Sequence, residues 1–167
     1  CFVWGSPRQS GTWRLADLRS VLEQAEELGT VDSIYFEGGE PFLYYPLLVA
    51  AVWETAGRGF DVGLVTNAYW ATGLEEAFMW LKPMAGAVDD LSVSSDFYHV
   101  DEEFHRQAHT AILAATELDI PTDLIRVAQP RSQANRESEL MYRGRAAVRL
   151  APAAEQHPWE TFDACHY

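Results

Sequence analysis

The chain has 167 residues, of which 48% are hydrophobic and 22% charged, a composition that supplies one core and excludes a disordered tail. Its 25 acidic residues outnumber its 12 Lys and Arg residues, and the net charge of −13 argues against a nucleic-acid partner, which requires clustered basic residues. No apolar run reaches the roughly 18 residues of a membrane helix. Two cysteines form no disulfide framework, so we expect a cytoplasmic protein with no membrane partner.

Short β-rich runs alternate with amphipathic helices along the chain. The predicted helices span 15–28, 46–57, 72–81 and 101–115. The predicted strands span 32–37, 61–66, 91–94 and 123–127, and a fifth candidate strand spans 145–150. Gly29 is typical of a helix end and Pro46 of a helix start. Thr72 with Glu75 fits a capping box, and Asp101 is a further N-cap.

The ends of the predicted strands recur at a nearly constant interval. About 30 residues, the length of one strand–helix unit, separate the successive ends at Glu37, Asn67, Asp96 and Ala128. Repeated units of this kind predict an α/β fold with a parallel sheet, either closed as a barrel or open and doubly wound. Both architectures bind ligands at the carboxyl ends of their strands, so we expect the polar residues there to face one cavity.

The motif with the clearest chemistry is Gly-Gly-Glu-Pro at 38–41, directly after the first predicted strand. Two glycines remove the β-carbons that would keep a ligand away from the backbone, and they permit unusual dihedral angles. The neighbouring carboxylate can accept hydrogen bonds from an ammonium group. A purely structural strand-to-helix turn explains the same four residues, and no phosphate-binding loop is present because the Lys-Ser/Thr ending is absent.

These residues, in this order, resemble the core of the radical S-adenosylmethionine enzymes. Cys1 matches the last cysteine of the family's Cys-x3-Cys-x2-Cys loop, and 38–41 matches its methionine-binding motif. Val-Thr-Asn at 65–67 and Ser-Ser-Asp at 94–96 match the ends of the family's third and fourth strands. Tyr-Arg-Gly-Arg-Ala at 142–146 resembles an element of members that carry a C-terminal auxiliary iron–sulfur region.

The resemblance implies a partial (β/α)6-type, TIM-like barrel over residues 1–150 with its first strand missing, followed at 151–167 by the start of a C-terminal extension. It implies a 4Fe–4S cluster with Cys1 as one ligand, and S-adenosylmethionine at the open iron. Cys165 is a candidate ligand of an auxiliary cluster. The residues implied to bind the cofactor are Gly38, Gly39, Glu40, Pro41, Asn67, Ser94 and Asp96.

The implied activity is reductive cleavage of S-adenosylmethionine with an electron from an external donor. The resulting 5′-deoxyadenosyl radical would abstract hydrogen from a peptide or small-molecule substrate. The backbone of 38–39 and Glu40 would contact the methionine ammonium. Asn67, Ser94 and Asp96 would reach the ribose or the carboxylate. The sequence identifies no residue for a separate catalytic role.

The chain also departs from the family pattern. The first strand and the first two cysteines of the cluster loop are absent, so we expect a fragment that cannot act alone as a radical enzyme. Ala68 follows the second predicted strand at a position where glycine is commoner in the family.

Other interpretations stay open beside the radical one. A non-radical α/β-barrel enzyme or a binding domain would use the turn at 38–41 only structurally. His105 and His109 have the spacing of zinc ligands on a helix, but we interpret them as part of a solvated face. For His99, beyond the third predicted strand, both an active-site and a structural role remain open.

Overall fold

A computed structural model of the protein describes residues 11–94 and 102–125, in which helices and strands alternate. The helices are α1 (Leu15–Leu28), α2 (Tyr45–Gly57), α3 (Leu74–Leu81) and α4 (Glu102–Glu117). The strands are β1 (Ser33–Phe36), β2 (Asp61–Thr66), β3 (Asp90–Ser94) and β4 (Thr122–Ile125). Short 3-10 helices at Pro41–Tyr44 and Lys82–Met84 precede α2 and follow α3. The helices within these ranges lack the length and apolar character of a membrane span.

The four strands form one parallel sheet in the order β1-β2-β3-β4. The predicted α/β class and parallel pairing are therefore confirmed. β1, β2 and β3 end within one residue of the predicted positions. The predicted end of the fourth strand at Val127, the candidate strand at 145–150 and the extension at 151–167 lie outside the described residues.

The helices cover one face of this sheet. Ile34 of β1 is opposite Val62 of β2, and Phe36 is opposite Leu64, so these side chains share a face. α1 packs against the β1 end of that face, with Leu18 and Leu22 buried beside Ile34. The main core lies between the same face and α2, α3 and α4, and its strand residues include Val62, Leu64, Leu91 and Val93. Burial of these apolar side chains, worth about 25 cal/mol per Å², is the main force that holds the layers together.

An exposed ion pair connects α1 and α2. The Arg19 guanidinium donates two hydrogen bonds to the Glu54 carboxylate, at 2.7 and 2.9 Å. This bonding, together with the Arg58 charge, lowers the pKa of Glu54. Because the pair is exposed to water and salt, we assign it little of the stability compared with the apolar contacts between the helices.

The predicted capping box of Thr72 and Glu75 is wrong. The N-cap of α3 is Gly73, which has extended dihedral angles and no side-chain cap. Glu76, at the third helical position, lies back over Gly73, so that a β-carbon there would collide with its carboxylate. The helix therefore starts one residue later than the local signal suggested. Asp101, the predicted cap of α4, lies outside the described residues.

The face of the sheet opposite the helices carries a close contact between strands. The ring of Tyr35 in β1 lies across Gly63 in β2, and a β-carbon at Gly63 would overlap that ring. Burial, followed by the charge and hydrogen bonding of Asp90 in β3, raises the pKa of Tyr35. Glycine at position 63 thus allows the tyrosine to cross its neighbouring strand.

We expect Gly63→Ala to lower the free energy of unfolding by about 1–3 kcal/mol, because the methyl group displaces the Tyr35 ring. Urea denaturation should show this loss in the wild-type background. In a Tyr35→Ala background the same substitution should cost much less, because the two residues are coupled by contact. Equal costs in both backgrounds would contradict this account.

Candidate functional site

The loop after β1 presents bare backbone at the carboxyl end of the sheet. Gly38 and Gly39 are both exposed, and a β-carbon added to either would meet no atom within 4 Å. Gly38 has a φ of +136°, a region that other residues rarely adopt, whereas the φ of Gly39 lies outside that region. A ligand can therefore approach this backbone closely, and only Gly38 is required by the turn itself.

Glu40 points inward from the same loop. Its side chain is only 8% exposed, and protein donors surround its carboxylate. The Phe42 N–H at 3.2 Å and the Thr66 hydroxyl at 2.8 Å donate to Oε1, and the Asn67 N–H donates to Oε2 at 2.8 Å. The first donor belongs to the 3-10 helix that follows the glycine pair, and the other two lie at the end of β2. Hydrogen bonds to this carboxylate therefore connect the segments at the ends of β1 and β2.

The pKa of Glu40 reflects two opposing influences. Burial removes water from the carboxylate and raises the pKa above the ordinary value of 4.5. Hydrogen bonds from Asn67, Thr66 and Phe42 favour the charged form and lower it, but burial has the larger effect. The fold thus holds a carboxyl group with elevated proton affinity behind the glycine pair.

Thr66, the last residue of β2, is the centre of the network. Its hydroxyl donates to Glu40 and accepts the Ala68 N–H and the Trp70 indole N–H, each at 3.0 Å. A hydroxyl has one proton to give and two lone pairs to receive, so the bonding capacity of Thr66 is fully used. We refer to Glu40, Thr66 and Trp70 as the loop network.

Aromatic packing joins the same two loops a second time. The Phe42 ring stacks on Trp70 with a centroid distance of 4.4 Å and an interplanar angle of 21°. Both residues are almost fully buried, at 1% and 3% exposure. Tyr45 and Trp80 extend the cluster by an edge contact at 4.6 Å. Trp70, which the sequence suggests as a wall of the cofactor pocket, is thus buried and supports the glycine loop from within.

The turn after β2 is tight. The Asn67 side-chain oxygen accepts the Tyr69 N–H at 2.9 Å, which leaves the amide NH2 of this exposed side chain for a ligand. Ala68 has a φ of +59° and is fully buried. This left-handed conformation explains why glycine suits the position, and it costs an alanine on the order of 1 kcal/mol. Its N–H bond to Thr66 helps to hold it.

Several predicted site residues can be located, and others cannot. Gly38, Gly39, Glu40 and Pro41 follow β1, and Asn67 follows β2, so these residues meet at adjacent strand ends. Ser94 is the half-buried last residue of β3, opposite Ile125 of β4. The predicted positions outside the described residues are Cys1, Asp96, Cys165, His99 and the Gly-Arg-Ala element at 144–146.

The described part of the chain holds no group of three or more His, Cys, Asp or Glu residues placed to bind a metal. His109 lies exposed on α4, in agreement with a solvated position, and the side chain of His105 is outside the described residues. Both cysteines are also outside them. The cluster ligands therefore stay a prediction from the sequence.

The sequence predicted no role in a supporting network for Thr66 or Trp70. Thr66 occurred within a matched motif, but Asn67, the residue after it, was the predicted ligand. The one signal in the sequence was a hydroxyl residue at the end of a strand with an indole residue four positions later, which is an uncommon pair. Their importance comes from Glu40, which is 26 residues away from Thr66 in the chain.

The chain matches no protein-family model, and a search of curated proteins finds no match to it.

Proposed function

We propose that this chain is the core of a radical S-adenosylmethionine enzyme, in which the bare backbone of Gly38 and Gly39 receives the methionine end of the cofactor. The observation that carries this proposal is the exposed glycine pair beside the end of β2, with a buried carboxylate directly behind it. Such a pair suits a ligand that must come close to main-chain carbonyl groups.

We further propose that the sheet is part of a TIM-like (β/α)6 barrel. Two observations support a barrel over a doubly wound sheet. The four strands within residues 11–94 and 102–125 occur in sequential order, and among them there is no reversal of order such as a doubly wound sheet has at its switch point. The described helices α1 to α4 lie on one face, as they do around a barrel.

The residues can be assigned roles toward the cofactor. Carbonyl groups of the glycine pair accept hydrogen bonds from the methionine ammonium, and the negative charge of Glu40 favours that cation. Pro41 begins the 3-10 helix and stiffens the exit from the loop. The NH2 group of Asn67 and the hydroxyl of Ser94 donate toward the ribose or the carboxylate, with Asp96 as a further ligand. Asn67 and Ser94 lie at the same edge because the carboxyl ends of the parallel strands β2 and β3 are neighbours.

Cys1 would hold one iron of a 4Fe–4S cluster, and this cluster together with S-adenosylmethionine would supply the reductive cleavage of a carbon–sulfur bond that releases methionine and provides a 5′-deoxyadenosyl radical for hydrogen abstraction. The electron comes from an external donor in the cytoplasm, and the substrate is a peptide or small molecule. Cys165 is proposed as a ligand of an auxiliary cluster, as the Gly-Arg-Ala element suggests.

A second candidate has a specific observation in its favour. The Glu40 carboxylate is already occupied by donors from Phe42, Thr66 and Asn67, as it would be in a purely structural turn. In that case the chain is a non-radical α/β enzyme or a binding domain. The two candidates differ in whether the glycine backbone contacts a ligand.

The direct test uses the protein expressed from its natural reading frame and reconstituted anaerobically with iron and sulfide. We expect brown iron–sulfur absorption and, with a chemical reductant and S-adenosylmethionine, 5′-deoxyadenosine detected by chromatography. Cys1→Ala should remove the product, because the cluster loses a ligand. Cys165→Ala should lower the iron content and leave cofactor cleavage in place. A protein that binds neither iron nor S-adenosylmethionine would overturn the proposal.

A further inference from the structure

We infer that Glu40, Thr66 and Trp70 are positioning residues. The loop network holds the loops after β1 and β2 as one unit, and it thereby fixes the shape of the glycine cradle, the exposed backbone of Gly38 and Gly39. This inference deepens the proposed function and rests on it where the cofactor is concerned. Its structural part, the coupling of the two loops, stands on the contacts alone. It changes the role of Glu40 from a ligand contact to a support for the backbone that makes the contact.

The hydrogen bonds of Glu40 hold its carboxylate in place inside the protein. Donors from within the protein reach both carboxylate oxygens at 2.8–3.2 Å, and the side chain is only 8% exposed. A buried carboxylate that moved toward a ligand would leave the Asn67 N–H and the Thr66 hydroxyl without their acceptor. That loss opposes the movement, because unpaired buried donors are costly.

The Thr66 hydroxyl has no hydrogen-bonding capacity left, and this fixes its orientation. Its single proton is directed to Glu40 because its lone pairs receive the Ala68 and Trp70 N–H groups. The direction of every hydrogen bond in the loop network is therefore determined, and neither Glu40 nor Thr66 can rotate its side chain without breaking more than one hydrogen bond. Such a closed arrangement favours one conformation of both loops.

The stacking of Phe42 on Trp70 connects the two loops a second time. Phe42 follows the glycine pair closely and donates its N–H to Glu40, while Trp70 bonds to Thr66. The two loops thus meet through a polar contact and an aromatic contact at once. Between Phe36 at the end of β1 and this double attachment lie only Glu37 to Pro41, so the glycine pair has little freedom. A cradle held in its bound shape binds more tightly, because less ordering remains to be done on binding.

The test uses Thr66→Val, which keeps the shape of the side chain and removes its hydroxyl. Thr66→Ser is the conservative variant that restores it. Thr55→Val is the matched control: Thr55 is also fully buried, but its hydroxyl has no hydrogen-bond partner within the described residues. Trp70→Phe, which keeps an aromatic ring and removes the indole N–H, is a second test of the same contacts.

The first readout is amide hydrogen exchange of the protein without cofactor. We expect Thr66→Val to speed exchange at the Phe42 amide by about tenfold, the equivalent of one hydrogen bond, although Thr66 does not bond to that amide. Trp70→Phe should act in the same direction, whereas Thr66→Ser and Thr55→Val should leave this amide protected. Unchanged exchange at Phe42 in both Thr66→Val and Trp70→Phe would overturn the coupling of the loops.

The second readout is the dissociation constant for S-adenosylmethionine, measured by equilibrium dialysis on the reconstituted protein. We expect Thr66→Val to weaken binding by about tenfold and Thr66→Ser to restore it. If the wild type does not bind the cofactor but the exchange results hold, the proposed function fails and the loop coupling stands. If the wild type binds and Thr66→Val binds equally well, the positioning role is wrong and the proposed function stands.

Discussion

Replacing Gly39 by alanine is expected to weaken S-adenosylmethionine binding by about ten- to a hundredfold while the free energy of unfolding stays within about 0.5 kcal/mol of the wild-type value. The fold has room for the substitution, because the added β-carbon meets no atom within 4 Å and the φ of Gly39 is not left-handed. In the proposed function, the methionine end of the cofactor approaches through the same open space. Dialysis and urea denaturation measure the two quantities separately.

Two other glycines provide the controls for this experiment. Gly57, at the end of α2, also has open space around its missing β-carbon and no left-handed φ, so Gly57→Ala should change neither binding nor folding appreciably. Gly38→Ala should weaken binding and also destabilise the fold by about 1–2 kcal/mol, because its φ is +136°. If the wild type binds the cofactor and Gly39→Ala binds it equally well, the ligand lies elsewhere and the structural turn is favoured.

Replacing Glu40 by alanine is expected to lower the free energy of unfolding by at least about 2 kcal/mol. The substitution removes the common acceptor of the Phe42 N–H, the Thr66 hydroxyl and the Asn67 N–H. Glu23→Ala on the exposed side of α1 removes the same charge without these bonds, and it should have little effect. Urea denaturation at neutral pH compares the variants. Equal stability of Glu40→Ala and Glu23→Ala would contradict the role given to the loop network.

The pH dependence of this difference follows from the raised pKa of Glu40. Because burial raises the pKa above 4.5, the folded protein binds this proton more tightly than the unfolded chain does. The stability from this group is therefore fully present below pH 4.5 and is lost as the pH rises through the folded pKa. The stability gap between wild type and Glu40→Ala should therefore narrow as the pH rises from 4.5 through the folded pKa. A stability gap that widens as the pH rises would show that the hydrogen bonds lower the pKa of Glu40 by more than burial raises it.

The general architecture could be predicted because its signals are local and repeated. The interval of about 30 residues between strand ends reports a strand, a helix and two short loops, whatever the partners of each element are. Apolar spacing located α1 to α4, and β-rich runs located β1, β2, β3 and the start of β4 within a residue or two. The start of α3 was missed because Thr72 and Gly73 both suit an N-cap, and the position of Glu76 over Gly73 became clear only in the structure.

The sequence by itself determined the α/β class, the parallel sheet and the neighbouring positions of Gly38–Gly39 and Asn67, because the carboxyl ends of adjacent parallel strands must share an edge. Only the tertiary structure decided the direction of Glu40, the central role of Thr66 and the packing of Trp70 behind Phe42. A loop side chain turns toward whichever donors reach it, and those of Glu40 come partly from the next strand. Such long-range contacts leave no periodic trace in the chain, so the local pattern predicted where the site lies but not how it is held.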